Sequence, residues 1–315
     1  MADILVHIGY HKTGTTWLQR VLFNNSAIGF ALPFSNQEIL PLLVYPHALD
    51  FNPHTCRKHF QPKLVEASKR GLIPVLSSEE LSGNPHSGGY ASKEFADRLM
   101  AVFPEARILI VIREQKDMIV STYKQYVKVG GPCSLAEYLR PPVRGRERIP
   151  LFDWDHFKYH RLIGYYLRLF DRSRILVLPY ELFKERPSDF ISQVVLFCGL
   201  ETNVTTITAL PYSIKKNESL SGLSIAMKRR LNRIIGPQDR LNPRVLIPVT
   251  TLSASQKLKL WWQAWDSVLP SSFKEVSENR FKTMVSERMR DKYKQSNSLA
   301  AKMLNLDLVW YGYDL

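Results

Sequence analysis

The most constraining feature of this chain is a short N-terminal segment in which a β-type run leads through a glycine-containing turn into a helix start. Residues Ile4–Ile8 are largely apolar and few enough for a buried strand. Gly9 and Gly14 flank the turn, and an amphipathic helix is predicted from Thr15 to about Asn24. Such a strand, loop and helix start can bind an anion, because the loop N–H groups and the helix dipole point at the ligand.

The polar residues of the turn indicate which anion it suits. Nucleotide-triphosphate loops read G-x-x-x-x-G-K-[ST], and Gly9, Gly14 and Thr16 match that spacing. Position 15 is a threonine, however, and the lysine of this segment, Lys12, lies three residues earlier, inside the loop. Lys12 supplies a full positive charge and the threonine hydroxyls supply donors. The segment therefore predicts a phosphate-type loop that differs from the ATP/GTP motif.

The string His-Lys-Thr-Gly-Thr-Thr-Trp at positions 11–17 resembles the 5′-phosphosulfate loop of the sulfotransferase family, which usually reads Pro-Lys-Ser-Gly-Thr-Thr-Trp. A histidine replaces the usual proline and a threonine the usual serine. The resemblance implies an enzyme that takes a sulfuryl group from 3′-phosphoadenosine 5′-phosphosulfate (PAPS) and releases PAP. The donor-binding residues that it implies here are His11, Lys12, Thr13, Gly14, Thr15, Thr16 and Trp17.

The clearest strand of the chain, from Arg107 to Ile112, ends in a second candidate phosphate site. Its nearly continuous apolar run is typical of a sheet covered on both faces. Arg113 follows directly, and Ser121 lies eight residues later in a helix for which Asp117 is the predicted cap. A guanidinium fork and a hydroxyl both suit phosphate oxygens. The pair resembles the 3′-phosphate motif of the family, which implies that Arg113 and Ser121 bind that phosphate.

An acidic turn with Glu79 and Glu80 follows another predicted strand, Ile73–Ser77. In an open parallel sheet, the residues beyond the carboxyl ends of the strands line the ligand crevice, so both carboxylates are predicted on the same edge as Lys12. A surface turn that caps the next helix is the alternative. The position resembles the general-base glutamate of glycan-type and tyrosylprotein-type sulfotransferases. This implies Glu79 as the base, and Glu80 stays open as its replacement.

Two softer similarities concern the far end of the donor. Tyr180, at the exit of the fourth predicted strand, resembles the tyrosine that the family places beside the adenine, although core packing would also explain it. The basic loop that begins at Lys215 lies where the family has a flexible segment closing on the 3′-phosphate. By that resemblance Asn217 and Ser219 are assigned to the donor.

The implied chemistry is in-line sulfuryl transfer, which needs positioning and neutralisation of the leaving oxygen, as phosphoryl transfer does. The resemblance gives Lys12 the role of stabilising that oxygen and Glu79 the role of accepting the acceptor proton. The scheme requires no metal ion. Two other functions stay open: a nucleotide kinase with a degenerate phosphate loop, and a non-catalytic module that binds polyanions.

Composition limits the partners without choosing among them. The chain has 43 Lys+Arg against 29 Asp+Glu, a net charge of +14, which favours an anionic partner such as a nucleotide, an acidic glycan, a nucleic acid or a membrane surface. Basic residues cluster at 215–244 and at Arg140–Arg148, and most of them are expected on a solvated face. The Arg140–Arg148 loop could instead bind an acidic glycan. The expected acceptor is a carbohydrate hydroxyl, with a lipid, small alcohol or phenol as alternatives, and no nucleic-acid partner is expected.

Strands that alternate with helices predict an α/β protein with a P-loop-like three-layer fold, in which helices flank a central parallel sheet. The 315 residues, 45% of them hydrophobic, suffice for a sizeable core. We expect a single sulfotransferase domain over 1–315 with a helical C-terminal elaboration from about 220 to 315. Three scattered cysteines, no signal segment and no long apolar run predict a cytoplasmic protein without a membrane span. The pattern carries no signal of the oligomeric state.

Overall fold

The computed structural model describes residues 3–141, 149–201, 204–212, 220–249 and 251–315. The main strands are β1 (Leu5–His7), β2 (Phe30–Ala31), β3 (Ile73–Ser77), β4 (Arg107–Ile112) and β5 (Ile175–Pro179). They form one parallel sheet in the order β2-β3-β1-β4-β5. A separate two-stranded ladder joins β6 (Ile235–Gly236) to β7 (Ile247–Pro248).

Helices pack on both faces of the sheet. The α-helices of the described residues are α1 (Thr15–Trp17), α2 (Asn36–Ile39), α3 (Pro53–Lys69), α4 (Ser92–Val102), α5 (Gln115–Lys128), α6 (Leu135–Tyr138), α7 (Tyr159–Leu169), α8 (Tyr180–Glu185), α9 (Pro187–Phe197), α10 (Val204–Thr208), α11 (Gly222–Leu231), α12 (Leu252–Ser267), α13 (Ser271–Met289) and α14 (Lys294–Leu304). The predicted three-layer α/β architecture is therefore confirmed.

The apolar run of β4 follows from its position inside the sheet. Successive side chains of a strand point to opposite faces. Ile108 and Ile110 belong to a large core on one face, which also takes in α4, α5 and α7, whereas Leu109 and Val111 belong to a smaller core against α9. All four side chains are fully buried. Both faces of β4 must be apolar, which is why the strand reads as a continuous hydrophobic run.

The register of the strands brings their carboxyl ends to one edge of the sheet. Leu5 of β1 pairs with Val75 of β3 on one side and with Arg107 of β4 on the other. The strand β1 therefore has β3 on one side and β4 on the other, and the loop after β1 emerges between the connections that follow them. Ligands of open α/β sheets bind in the crevice at such a point. The loop after β1 and the turn after β3 meet there, together with the residues that follow β4 and β5.

The first helix is shorter than predicted. Its α-helical part, Thr15–Trp17, continues as one π-type turn over Leu18–Leu22 and does not reach Asn24. The backbone N–H of Phe23 bonds to the carbonyl of Leu18, which closes this wider turn and ends the helix.

The cap of α5 also differs from the prediction. Glu114, rather than Asp117, caps the helix, because its carboxylate accepts from the backbone N–H of Lys116 at 2.9 Å and of Asp117 at 3.0 Å. Asp117 lies in the first turn, which leaves its carboxylate available to the cations around it.

The C-terminal helices pack on the main core through part of their surface. The helices α12 and α13 are separate, because Leu269 precedes Pro270 and the α conformation is disfavoured before proline. Of the three tryptophans of α12, Trp262 is buried, whereas Trp261 and Trp265 are exposed.

Two ion pairs join α13 to α5. Lys124 Nζ lies 2.5 Å from Glu278 Oε2, and Lys282 Nζ lies 2.9 Å from Asp117 Oδ1. Val285 on the same helix is fully buried in the large core. The C-terminal helices are therefore attached to the helix that follows β4.

The burial of β4 predicts where the chain is most sensitive to substitution. Ile110→Ala should lower the free energy of unfolding by about 2–5 kcal/mol, because a cavity is left between a strand and helices that cannot close on it. Val276→Ala on α13, whose side chain is 70% exposed, is the matched control and should change it by less than about 0.5 kcal/mol. Urea unfolding followed by circular dichroism measures both, and equal losses would contradict the assignment of β4 to the core.

Candidate active site

The loop after β1 is a tight turn whose backbone adopts left-handed conformations. Gly14 precedes α1 with φ of 85°, and its carbonyl accepts from Trp17 N at 2.9 Å and Leu18 N at 3.1 Å. Lys12 also has a positive φ, 67°, which is uncommon outside glycine. The Thr13 hydroxyl donates to the carbonyl of Tyr10 at 2.5 Å. The turn therefore holds Lys12 in a strained conformation that internal hydrogen bonds maintain.

Lys12 is half-buried and lies between charges of both signs. Burial lowers the pKa of its ammonium group; the carboxylate of Glu79 acts in the opposite direction, and the guanidinium of Arg113 lowers the pKa further. Arg113 Nη1 donates to the backbone carbonyl of Lys12 at 3.1 Å. The loop after β1 and the residue after β4 thus form one cationic site, although 101 positions separate them in the sequence.

Arg113 is held on several sides. Its guanidinium carbon lies 5.2 Å from the ring centroid of Tyr180, and its Nη2 lies 3.6 Å from Asp117 Oδ2. Its own carbonyl accepts from the Tyr159 hydroxyl at 2.6 Å. Ser121 is half-buried on α5 one turn after Asp117, and residues four apart share a helix face. The structure therefore places Arg113, Tyr180 and the face of α5 that carries Ser121 in one region.

The two candidate bases lie on opposite sides of the His11 ring. Glu79 Oε1 is 3.6 Å from His11 Nδ1, and Glu80 Oε1 is 3.7 Å from His11 Nε2. Both distances exceed hydrogen-bond length, and neither nitrogen of the ring has a hydrogen-bond partner. Burial lowers the pKa of His11 to about 3, and the nearby His86, His156 and Lys12 act in the same direction. At neutral pH the contacts therefore join a neutral imidazole to two carboxylates and are not ion pairs.

The surroundings of Glu79 and Glu80 differ in a way that bears on their chemistry. Burial raises the pKa of Glu79, while Lys12 and the Thr15 hydroxyl lower it; the hydroxyl does so without a well-aligned hydrogen bond. Burial also raises the pKa of Glu80, but this carboxylate accepts from Asn84 Nδ2 at 3.1 and 3.3 Å. Glu79 faces the cationic loop, whereas Glu80 is held by the turn that follows it.

Two further buried histidines lie beside the loop, and their role was not predicted from the sequence. Burial lowers the pKa of His86 to about 4 and that of His156 to about 3. His86 Nδ1 is 3.0 Å from the Tyr138 hydroxyl, and the His156 ring lies 5.2 Å from the ring of Tyr10. Nothing in the spacing of positions 11, 86 and 156 would have indicated this cluster.

Aromatic side chains pack around the start of α1. The Trp17 ring is stacked on Tyr212 at 5.5 Å and lies 5.0 Å from Phe183, while its Nε1 donates to the carbonyl of Pro211 at 3.2 Å. Phe183 lies three residues after Tyr180 on α8, a helical spacing that could have indicated it. No local signal would have indicated Tyr212.

Some predicted residues receive no structural test. Asn217 and Ser219 lie outside the described residues, as do three arginines of the predicted basic loop, Arg144, Arg146 and Arg148. Arg140 is described and exposed. Thr16 is half-buried at the start of α1, beside the other residues of the loop.

The geometry agrees with a comparison against protein families. The family model described as "Sulfotransferase domain" matches residues 2–222, which include the loop, the acidic turn, Arg113 and Tyr180. The chain belongs to the sulfotransferase family. It is therefore an enzyme of a family that generally uses PAPS as the sulfuryl donor.

Two solved structures are similar to this chain at low identity. A sulfotransferase from Alicyclobacillus acidocaldarius is 19% identical, with a TM-score of 0.48 over 81% of this chain and 99% of that one. Mouse sulfotransferase SULT7A1 complexed with PAP is 16% identical, with a TM-score of 0.38 over 95% of this chain and 88% of that one. Comparison with curated protein sequences gives no match of significance.

The described part of this sulfotransferase contains neither a cluster suited to a metal ion nor a helix suited to a membrane span. No group of three or more histidine, cysteine, aspartate or glutamate side chains there has a geometry suited to a metal ion. No helix in the same ranges is both long and apolar enough to cross a bilayer.

The buried histidines predict how stability depends on pH. Histidine titrates near pH 6.5 in an unfolded chain, whereas folding lowers the pKa of His86 to about 4. Below pH 6.5 the unfolded state takes up a proton that the folded state does not, so the free energy of unfolding falls toward pH 4. His86→Gln should make this fall shallower by up to about 1.4 kcal/mol per pH unit.

Urea unfolding at pH values from 8 to 5 measures this slope. The raised pKa values of Glu79 and Glu80 increase the free energy of unfolding as the pH falls. This contribution is the same in the wild-type protein and in His86→Gln, so it cancels when the two are compared. The substitution also removes the contact with Tyr138. This shifts the whole curve of unfolding free energy against pH for His86→Gln, but does not change how its slope differs from that of the wild type. Parallel curves would show that His86 is not held neutral by burial.

Proposed function

We propose that this sulfotransferase transfers the sulfuryl group of PAPS to an acceptor hydroxyl, with a carbohydrate as the acceptor. The observation that carries the proposal is the hydrogen bond from Arg113 to the carbonyl of Lys12, since it supports one site to which both cationic residues contribute. PAPS has anionic groups at both ends, a 5′-phosphosulfate and a 3′-phosphate. Two cationic residues, Lys12 and Arg113, fit a molecule with two anionic groups better than a ligand with a single anionic group.

The 5′-phosphosulfate end is assigned to the loop after β1. Lys12, the backbone N–H groups near Gly14 and the hydroxyls of Thr15 and Thr16 are suited to the leaving phosphate oxygen, where negative charge develops. In the reaction, a bond forms between the acceptor oxygen and sulfur as the bond between sulfur and the phosphate oxygen breaks, which leaves PAP. The partly desolvated ammonium of Lys12 interacts more strongly with that oxygen than a fully solvated one would.

The 3′-phosphate end is assigned to Arg113 and Ser121, with Asn217 and Ser219 as further ligands by family resemblance. Tyr180 is proposed to lie beside the adenine, because it packs against both the Arg113 guanidinium and the loop. Its Cε2 would be 3.2 Å from a Cβ built at position 14, so a glycine there leaves room for the ring. His11, Thr13 and Trp17 support the shape of the loop.

Glu79 is proposed as the general base that accepts the proton of the acceptor hydroxyl. Burial raises its pKa, which makes it a stronger base than an exposed glutamate, while Lys12 keeps the ionised form accessible. Glu80 is the weaker candidate because two contacts with Asn84 occupy its carboxylate.

The C-terminal helices are proposed to belong to the same catalytic domain, which would span 1–315. The Lys282–Asp117 and Lys124–Glu278 pairs support this proposal, because they attach α13 to the helix of the 3′-phosphate site. The cytoplasmic location stays a prediction; the three cysteines, all unpaired, are compatible with it.

The central test is transfer of radiolabelled sulfate from PAPS across a panel of glycans, lipids and phenols. Lys12→Ala should lower transfer by at least about 100-fold, because the leaving oxygen loses its cation, and should leave the unfolding curve in place. Lys302→Ala, at an exposed position on α14, is the matched control and should transfer normally. Transfer from ATP in place of PAPS, or unchanged transfer by Lys12→Ala, would contradict the proposal.

The choice between the two carboxylates has its own test. Glu79→Gln should lower kcat by roughly 10²–10⁴-fold, because it removes the base but keeps the shape of the side chain. Glu80→Gln retains a group that can contact Asn84 and should change kcat by less than about tenfold. Steady-state kinetics at pH 7.5, with PAP affinity measured in parallel, separates a loss of chemistry from a loss of donor binding. The reverse order of effects would assign the base to Glu80.

A further inference from the structure

A second feature of the binding edge is a cavity of about 370 Å³ beside Tyr10 of the loop. It lies between the start of α4 and a face of α7 that extends from Lys158 to Arg168. Both helices start at the same edge as the active site, because α4 follows β3 and α7 leads back to the amino end of β5. Neither start has a side-chain cap: the residues at the cap positions, Ala91 and Lys158, accept no hydrogen bond from the first turn through their side chains. The dipoles of both helices favour an anion nearby.

The charged side chains around the cavity are mostly positive. Lys158 and Arg161 both contact the single carboxylate of the wall, Asp155, at 2.6 and 2.7 Å. The exposed Arg168 lies with its guanidinium carbon 5.0 Å from the ring of Tyr165. None of the ion pairs found in the described ranges gives Arg168 a carboxylate partner. The wall therefore has an excess of positive charge that its own carboxylate does not neutralise.

A buried polar atom in the wall also has no partner. His156 is only 9% exposed, and its Nε2 makes no hydrogen bond. The other ring nitrogen faces Gly89, where an added Cβ would lie 2.0 Å from Nδ1, so the glycine allows the backbone to reach the ring. Burying a polar group without a hydrogen bond is unfavourable. A ligand that forms a hydrogen bond with His156 Nε2 would therefore bind more favourably in this cavity.

The size and the aromatic rim of the cavity indicate the kind of molecule that carries the anionic group. A volume of about 370 Å³ lies at the lower end of the range for small-molecule sites, and suits one sugar residue. The 69% exposed Tyr90 presents apolar ring surface at the rim. A saccharide residue with an acidic substituent combines an apolar ring face with a negative charge, and therefore matches both properties.

We propose that this cavity binds the acidic group, a carboxylate or a sulfate, of a saccharide acceptor, so that the enzyme acts on acidic rather than neutral glycans. Tyr10 lines the cavity, and the next residue, His11, contacts Glu79. An acceptor held in the cavity would therefore extend past the loop toward the base. This inference rests on the proposed function and specifies its acceptor class.

The test compares two saccharides that differ in one charge. Isothermal titration calorimetry with PAP present measures binding of a glucuronate-containing disaccharide and of its carboxyl-reduced counterpart. The wild-type protein should bind the acidic form at least tenfold more tightly. Arg168→Gln should weaken binding of the acidic form about five- to tenfold, and leave the affinities for the reduced form and for PAP unchanged. Lys302→Gln removes one positive charge from an exposed position on another helix, α14. It should leave the affinities for the acidic saccharide, the reduced saccharide and PAP unchanged.

The possible outcomes separate this inference from the proposed function. If the wild-type protein does not bind PAP, the donor assignment fails and the acceptor inference fails with it. If PAP binds but the acidic and reduced saccharides bind equally, only the inference is overturned. Equal weakening by Arg168→Gln and Lys302→Gln would indicate a general effect of net charge, and would also overturn it.

Discussion

The site depends on one hydrogen bond across the centre of the sheet, from the guanidinium of Arg113 to the carbonyl of Lys12. It joins the residue that follows β4 to the loop that follows β1, and these strands are adjacent and parallel. Two like charges are thereby held near each other in partly desolvated surroundings, an arrangement that is unfavourable without a counter-charge. Asp117 beside Arg113 and Glu79 beside Lys12 supply part of it. An anionic ligand would supply the rest, which is the electrostatic basis for a donor with charges at both ends.

Desolvation determines the protonation states around this pair. It keeps His11, His86 and His156 neutral, raises the pKa of Glu79 and lowers that of Lys12. Each shift favours the uncharged form, as expected where burial dominates over pairwise attraction. The candidate active site is therefore a region in which burial disfavours charge, so that a side chain that remains charged there interacts strongly with any ionic group nearby.

The parts of the fold that could be predicted from the sequence are those encoded by short periodic patterns. The continuous apolar run of β4 indicated a strand buried on both faces, and the glycine turn before Thr15 indicated a helix start. Details that depend on side-chain competition were not predictable in the same way. The α5 cap is Glu114 rather than Asp117, because both carboxylates are near the first turn and only the geometry of the strand exit decides between them.

What the sequence by itself determined is the family and the two segments proposed to bind anions, because Lys12 in its glycine turn and Arg113 after its strand are recognisable within a few residues of local pattern. Only the tertiary structure gave Glu79 and Glu80 different surroundings, since the contacts with Lys12 and Asn84 arise when the acidic turn packs beside the loop. It also brought Lys282 to Asp117 and placed His156 beside Gly89. These contacts join residues that are far apart in the chain, and burial, the quantity that sets their charge, exists only once the helices have packed on the sheet.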